Sequence, residues 1–246
     1  MILCTSGTTG GTKGVLLTHD NVRYSEDTFN RELGLTEEDI MFMPAPLHHA
    51  TGFHHAIIAP MLHGAKVVLQ QKYQCRSAIE LMNREKVTYS MGATPFIYDI
   101  FKRAGNQWRS SSDFEVLSVR RSAGAGISGA EGKTVWNTSR ARFMDPRMSV
   151  PHAFVRPDEA LALNGTTSGR AMEGVEMPGR VDEDGNDVGV GVPGEELSRG
   201  PSVFVGYLKA REITDGALDN DGWFHSGDLC IMDEHGNIHI IGRKKT

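Results

Sequence analysis

Between the start of the chain and about residue 120, short apolar runs of strand length alternate with longer stretches whose apolar positions recur at helical spacing. Met41–Met43, Lys66–Leu69, Thr88–Met91 and Glu115–Val119 read as strands, and Thr18–Leu33, Thr51–Leu62, Arg76–Lys86 and Pro95–Arg103 as helices. In the third helix Ile79 and Met82 fall on an apolar face, and Glu80 and Arg84 take the i,i+4 spacing that predicts an ion pair. Such alternation is the signature of βαβ units and a largely parallel sheet. Past Gly165 the texture changes: Gly, Pro and Asp become frequent, and Ser202–Val205, Leu229–Met232 and Ile238–Ile241 read as short strands. The expected organisation is an α/β region over 1–165 and a smaller β-rich subdomain over 166–242. No internal repeat is present, and between about Gly129 and Ser149 the sequence follows no clean period.

Composition narrows the function classes. A chain of 246 residues can bury a sizeable core. Its formal net charge of -5, with 26 Lys plus Arg scattered along the sequence, provides no basic field for nucleic acid. Cys4, Cys75 and Cys230 are odd in number and lack CxxC spacing, so reduced thiols in a cytosolic setting fit better than a disulfide framework or structural zinc. No apolar run approaches the roughly 18 to 20 residues that span a bilayer, and the N-terminus has no signal-peptide pattern. The expectation is a soluble, cytoplasmic protein; peripheral membrane contact and oligomeric state stay open.

The densest chemistry lies at Thr5–Gly14, TSGTTGGTKG, and Met1 is so close to it that upstream sequence is expected to be missing. Gly7, Gly10, Gly11 and Gly14 let backbone N–H groups approach an anion, Thr5, Ser6, Thr8 and Thr9 add hydroxyl donors, and Lys13 brings positive charge. A loop that holds phosphate is the reading this supports; a flexible polar linker is the alternative. It is not a Walker loop, because Thr12 precedes Lys13 and Gly14 follows it.

This run resembles the TSGTTG-x-PKG loop of the adenylate-forming, AMP-producing acyl-CoA synthetases, with Thr12 where the family usually has proline. Further segments agree in order and spacing. Gly194-Glu195-Glu196-Leu197-Ser198-Arg199-Gly200-Pro201 and Gly206-Tyr207 resemble the family's GE-x-x-x-RGP-x-x-x-x-GY, and Gly222-Trp223-Phe224-His225-Ser226-Gly227-Asp228 resembles its GW-F/L-H-T/S-GD. The resemblance implies that Asp228 holds the ribose hydroxyls of AMP, for which an ionised carboxylate is a strong acceptor; read alone, the heptapeptide is a surface turn. Gly242-Arg243-Lys244-Lys245-Thr246 is similar to the start of the GRKKD hinge, with Arg243 carried over as a ribose or phosphate contact and 243–246 as the beginning of the hinge. In the family a smaller C-terminal domain follows, and the expectation is that this chain lacks it.

Four histidines crowd Leu47–His55 without any Asp, Glu or Cys in the segment. Adjacent histidines are expected to diverge on a regular element, which argues against a metal site. The stretch resembles PL-F/G-H-x-x-G of the same family, whose residue matching His49 lines the acyl pocket; a helix-capping or packed histidine is the alternative. Thr94-Pro95 and Ser122–Ser128 resemble the next two wall segments, and Gly124, Ala125 and Gly126 are assigned by that resemblance to the glycine-rich turn passing the adenine and acyl group.

One family motif is missing: the aromatic-Gly-x-Thr-Glu string that stacks on adenine and supplies a magnesium-binding Glu. Asn164-Gly165-Thr166-Thr167-Ser168 lies too near Gly174-Val175-Glu176 to be that motif, and Ser168 cannot replace a metal-binding carboxylate. The family distance lands instead on Phe143-Met144-Asp145-Pro146-Arg147-Met148. Codons TTT ATG GAT CCA CGG ATG for that stretch, read from the third base, encode Tyr-Gly-Ser-Thr-Asp. A frame slip affecting 129–148 is therefore expected, and such a segment should not pack as a native element.

The resemblance covers about 1–128 and 149–246, and its texture is nearest to short- and medium-chain fatty-acid CoA ligases. It implies the large N-terminal α/β domain of the adenylate-forming fold, with mixed and parallel sheets flanked by helices, and a chain that is a fragment of it. It also implies ATP, Mg²⁺ carried by ATP, coenzyme A and a carboxylic acid as the small-molecule partners. The implied reaction forms acyl-AMP with release of pyrophosphate, then a CoA thioester. In it Thr5, Ser6, Gly7, Thr8, Thr9, Gly10 and Lys13 hold phosphate, Asp228 and Arg243 hold the nucleoside, and His49 with Gly124–Gly126 shapes the acyl site. An inactive nucleotide-binding remnant and an aryl or alicyclic acid ligase are the alternatives.

Overall fold

In a computed structural model, residues 1–7, 11–93, 95–96, 99–100, 116–120, 139–143, 153–156, 163, 167–177, 180–182 and 185–244 are described, with backbone alone at 5–7, 11, 93, 116–120, 139–143 and 180. The order is β1 (Ile2–Gly7), β2 (Gly11–Leu16), α1 (His19–Leu33), β3 (Ile40–Met43), α2 (Ala50–Phe53), a π turn (His54–Ile58), α3 (Ala59–His63), β4 (Lys66–Leu69), α4 (Cys75–Glu85) and β5 (Tyr89–Ala93). There follow β6 (Val116–Arg120), β7 (Ser139–Phe143), β8 (Ala153–Phe154), β9 (Arg170–Ala171), β10 (Arg180–Val181), β11 (Gly194–Ser198), β12 (Gly206–Tyr207), α5 (Arg211–Asp215), β13 (Phe224–Met232) and β14 (Ile238–Arg243).

The apolar residues of β3 serve two cores, as a strand buried on both faces requires. Phe42 packs in a cluster with Val68, Val87, Ile100 and the α4 residues Cys75, Ala78 and Met82. Met41 and Met43 belong to a larger cluster with Val22, Phe29 and Leu33 of α1, Ala56, Ala59, Tyr89 and Met91. Helices thus cover both faces of a seven-stranded sheet of order β4-β3-β5-β6-β7-β8-β9. Its pairings are parallel from β4 through β7 and antiparallel from β7 through β9. The largely parallel α/β sheet expected from the alternation is present, with an antiparallel margin.

Local signals set the helix limits. Thr18 accepts a hydrogen bond from the Asn21 N–H while the Asn21 side chain accepts from the Thr18 N–H, a reciprocal cap that starts α1, and Gly34 ends it in the left-handed conformation. Residues 95–96 and 99–100 of the helix expected over 95–103 are helical; the rest of it lies outside the described residues.

Four expectations are corrected. The helix expected over 51–62 is interrupted by the π turn, a widening that apolar spacing does not encode. Arg84 bonds to Glu85 at 2.9 Å, and Lys66 meets the same carboxylate at 2.8 Å, so the Arg84 guanidinium goes to its sequence neighbour and not to Glu80. Ser202–Val205 is a turn: the Val203 N–H bonds the Gly200 carbonyl, Ser202 and Phe204 are buried, and the strand is β12 just beyond. Thr5–Gly14 is no open loop but largely a hairpin, β1 and β2, whose tip at 8–10 lies outside the described residues.

β12 pairs with β2 to complete a three-stranded sheet β1-β2-β12, and a four-stranded antiparallel sheet runs β10-β11-β13-β14. Strands from both sides of residue 165 therefore share sheets: β12 with the hairpin, and β9 with the large sheet. Of the segment 129–148, residues 139–143 form β7 between β6 and β8, against the expectation that it would not pack as an element. Ladder bonds are made by the main chain and tolerate a wide choice of side chains, which is why a strand can form there. The remainder of that segment lies outside the described residues.

Candidate functional site

The antiparallel register of the β1–β2 hairpin pairs Thr5 with Lys13, Ser6 with Thr12 and Gly7 with Gly11. Val15 on β2 is fully buried and anchors the hairpin. Lys13 lies on the same strand, with Nζ 5.7 Å from the centre of the Tyr207 ring of β12. The lysine and the Gly206-Tyr207 motif, distant in sequence, are thus joined in one sheet. Thr8, Thr9 and Gly10 lie outside the described residues.

Asp228 and Arg243 are direct cross-strand partners on β13 and β14, with Nη1 of Arg243 3.1 Å from Oδ1 of Asp228. The carboxylate is nearly buried while the guanidinium is largely exposed. A buried carboxylate needs its charge matched, and this pairing supplies a guanidinium to Asp228 and orients it on β13, next to the edge strand β14. Just past the end of β11, Arg199 forks onto Glu176 at 2.8 and 3.3 Å and stacks over Trp223 at 4.4 Å, which ties the Arg-Gly-Pro and Gly-Trp motifs together.

His49 is the N-cap of α2: its Nδ1 accepts the Thr51 N–H at 3.2 Å, and its own N–H donates to the Pro46 carbonyl at 3.0 Å. The ring is exposed, so capping leaves one edge turned to solvent. Gly52 is required at this corner, because a Cβ there would stand 2.2 Å from the Pro46 carbonyl oxygen. The capping alternative and a pocket role are thus compatible in one residue.

The expectation that adjacent histidines diverge is overturned. Nδ1 of His54 lies 3.2 Å from Oε1 of Glu26 and Nδ1 of His55 3.0 Å from Oε2, all three side chains being fully buried. The π turn widens the helix so that both rings reach one carboxylate delivered by α1. Burial alone would raise the Glu26 carboxyl, but attraction to His55 and hydrogen bonds from both rings outweigh it and hold its pKa below the ordinary value. No sequence signal connected Glu26 to this segment.

Hairpin, Asp228–Arg243 pair and histidine helix rest on one hydrophobic cluster, through Leu3 and Val15, Phe224 and Cys230, and Ala56 and Ala59 respectively. Thr94 and Gly124–Gly126 lie outside the described residues. Among the described residues no group of three or more His, Cys, Asp or Glu could hold a metal ion, and no helix is long and apolar enough to cross a membrane.

Residues 1–208 match the model of the AMP-binding enzyme family. The chain is 41% identical to the medium-chain fatty-acid–CoA ligase of Escherichia coli (strain K12), over 99% of this chain and 43% of that protein. To 4-coumarate–CoA ligase 2 of Nicotiana tabacum it is 28% identical, over 98% of this chain and 46% of the relative. Among solved structures, MatB from Rhodopseudomonas palustris superposes with a TM-score of 0.87 at 26% identity, covering 99% of this chain and 48% of that one. The o-succinylbenzoate coenzyme A synthetase of Bacillus subtilis, solved with ATP and magnesium ion, superposes with 0.87 at 22% identity, over 99% and 50%. The chain spans about half the length of these proteins or less. The motif order from the β1–β2 hairpin to the Asp228–Arg243 pair, the mixed α/β fold that carries it and the match over most of the sequence lead to one assignment: this chain belongs to the AMP-binding enzyme family.

Proposed function

We propose that the chain is the nucleotide- and acyl-binding part of an ATP-dependent acyl-CoA ligase that activates a short- or medium-chain fatty acid. The observation that carries the substrate class is the 41% identity, across 99% of the chain, to a medium-chain fatty-acid–CoA ligase. The site geometry supports the nucleotide part: a hydroxyl- and glycine-rich hairpin with Lys13 for the β- and γ-phosphates, and Asp228 braced by Arg243 for the ribose.

In this reading the substrate carboxylate attacks the α-phosphorus of ATP, pyrophosphate departs, and the thiol of coenzyme A then displaces AMP from the acyl-adenylate. The chain's residues act by position and charge. Lys13 and the hairpin N–H groups neutralise charge as pyrophosphate leaves, Asp228 and Arg243 fix the nucleoside, and His49 at its helix start borders the acyl group. Magnesium is taken as carried by the ATP substrate, and no step is routed through it. We place the action in the cytoplasm, on the absence of a membrane-crossing helix among the described residues and the reduced-thiol composition.

A second reading, an aryl-acid ligase, is favoured by the matches to 4-coumarate–CoA ligases and to the o-succinylbenzoate synthetase. A third, a nucleotide-binding remnant without turnover, rests on the missing aromatic-Gly-x-Thr-Glu motif. Carboxylate-dependent ATP–pyrophosphate exchange with straight-chain and aromatic acids separates the three. Exchange driven by medium-chain acids supports the proposal, exchange driven by aromatic acids alone moves the substrate class, and nucleotide binding without exchange leaves the remnant.

A further inference from the structure

Between the pairs Leu197–His225 and Glu195–Leu229, β11 contributes Glu196 alone while β13 contributes Ser226, Gly227 and Asp228. The extra residues form a bulge that takes the segment carrying Asp228 out of its ladder with β11, and Gly227 adopts φ +73° within it. Main-chain groups released from a ladder need other partners. Here side chains provide them. The Ser226 hydroxyl donates to the Glu196 carbonyl at 2.9 Å and accepts the Asp228 N–H at 3.0 Å, and Oε1 of Glu195 accepts the Gly227 N–H at 3.0 Å.

Glu195 is buried, and its second oxygen is engaged from the other side. Oε2 lies 2.9 Å from Nζ of Lys244, the residue after Arg243, and 3.7 Å from Nδ1 of His225. The Lys244 N–H returns to the Gly227 carbonyl at 2.9 Å, and Nη2 of Arg243 reaches the Ser226 carbonyl at 3.5 Å. One carboxylate therefore braces both ends of the Asp228–Arg243 pair: the bulge before the acid and the chain just after the base.

We propose that Glu195 is a positioning residue for nucleotide binding, which sets the Asp228 carboxylate against the ribose hydroxyls without touching the nucleotide. This rests on the reading of Asp228 as the ribose contact. The bulge has no ladder to β11 to define it, so without the Glu195 acceptor the Gly227 amide turns to water and Asp228, still paired with Arg243, is set less firmly in direction.

The test is calorimetric titration of the chain with AMP and with 2′,3′-dideoxy-AMP, using Asp228→Ala, Glu195→Ala, Glu195→Gln and Lys244→Gln. Asp228→Ala should abolish the preference for AMP over the dideoxy nucleotide. Glu195→Ala should weaken AMP by about tenfold, the scale of one hydrogen bond to a charged group, and the dideoxy nucleotide by less than about twofold. Glu195→Gln keeps an acceptor for Gly227 and should recover most of the affinity. Lys244→Gln, at an exposed position, should weaken AMP about threefold and stands in should Glu195→Ala fail to fold. AMP binding unchanged in Glu195→Ala (or, if that variant does not fold, in Lys244→Gln), or equal losses for both nucleotides, overturns the inference. If Asp228→Ala keeps the wild-type preference, the reading of Asp228 falls first and takes the inference with it.

Discussion

The Glu26 carboxylate and the His55 imidazole meet at 3.0 Å with both side chains fully buried, joining α1 to the π turn that continues from the helix capped by His49. A charge so placed depends on its partners, because taking one away leaves the other desolvated and unpaired. Tyr89 is buried in the same cluster core, and burial, Asp39 and Glu26 all push its phenol upward, so the hydroxyl stays protonated and the carboxylate is the group that titrates in acid.

The pH dependence of stability follows. The pKa of Glu26 is lower folded than unfolded, so its contribution is complete above the unfolded carboxylate value and is lost as pH falls through the folded one. Urea unfolding from pH 7 down to pH 3 should show an acid limb, and Glu26→Gln should flatten it while costing about 3 kcal/mol at neutral pH. An unchanged acid limb in the variant would show that another group governs it.

Gly52 offers a test of the corner that holds His49. A Cβ would lie 2.2 Å from the Pro46 carbonyl oxygen and 2.7 Å from its carbon, both backbone atoms, so the helix start must shift. Gly52→Ala should destabilise by about 1 to 3 kcal/mol with an unchanged denaturant slope. A stability change within experimental error would mean that the corner yields freely.

His49 caps α2, and its proposed place beside the acyl group can be tested separately. His49→Ala removes the cap and should cost about 1 kcal/mol, whereas His49→Asn, which can still cap, should unfold near wild type. If His49 also borders the acyl group, both variants should raise the apparent KM for the carboxylic acid in pyrophosphate exchange. Loss in the alanine variant alone would assign the residue to capping only.

The proposed phosphate role of Lys13 can be told apart from nucleoside binding. Its place on the hairpin predicts that Lys13→Ala weakens ATP by at least about tenfold and leaves AMP within about twofold, since AMP lacks the β- and γ-phosphates. Equal losses for the two nucleotides would remove Lys13 from the phosphate grip.

Legibility in the sequence divided along physical lines. Met41–Met43 reads as a strand and lies within β3, because a parallel strand covered on both faces is a short apolar run whatever its neighbours. Ser202–Val205 has the same texture and is a turn, because β12 is defined by its register against Val15 and Leu16 of β2, a pairing no local window contains. The histidine segment misled for a related reason: the π turn and Glu26 come from packing between helices, so divergence on a regular element was the wrong premise.

By itself the sequence determined the chemistry available: a hydroxyl- and glycine-rich run with one lysine, an acid in Ser-Gly-Asp and a base in Gly-Arg, set in the order of a known family. These are local properties, since residue type and spacing decide which donors and acceptors a short segment can present. Only the tertiary structure decided that Thr5–Gly14 is largely a strand pair sharing a sheet with Tyr207, that Arg243 meets Asp228, and that Glu195 braces them both. Those relations are made by strand register and burial, which couple segments far apart in the chain and exist only once the core has closed around them.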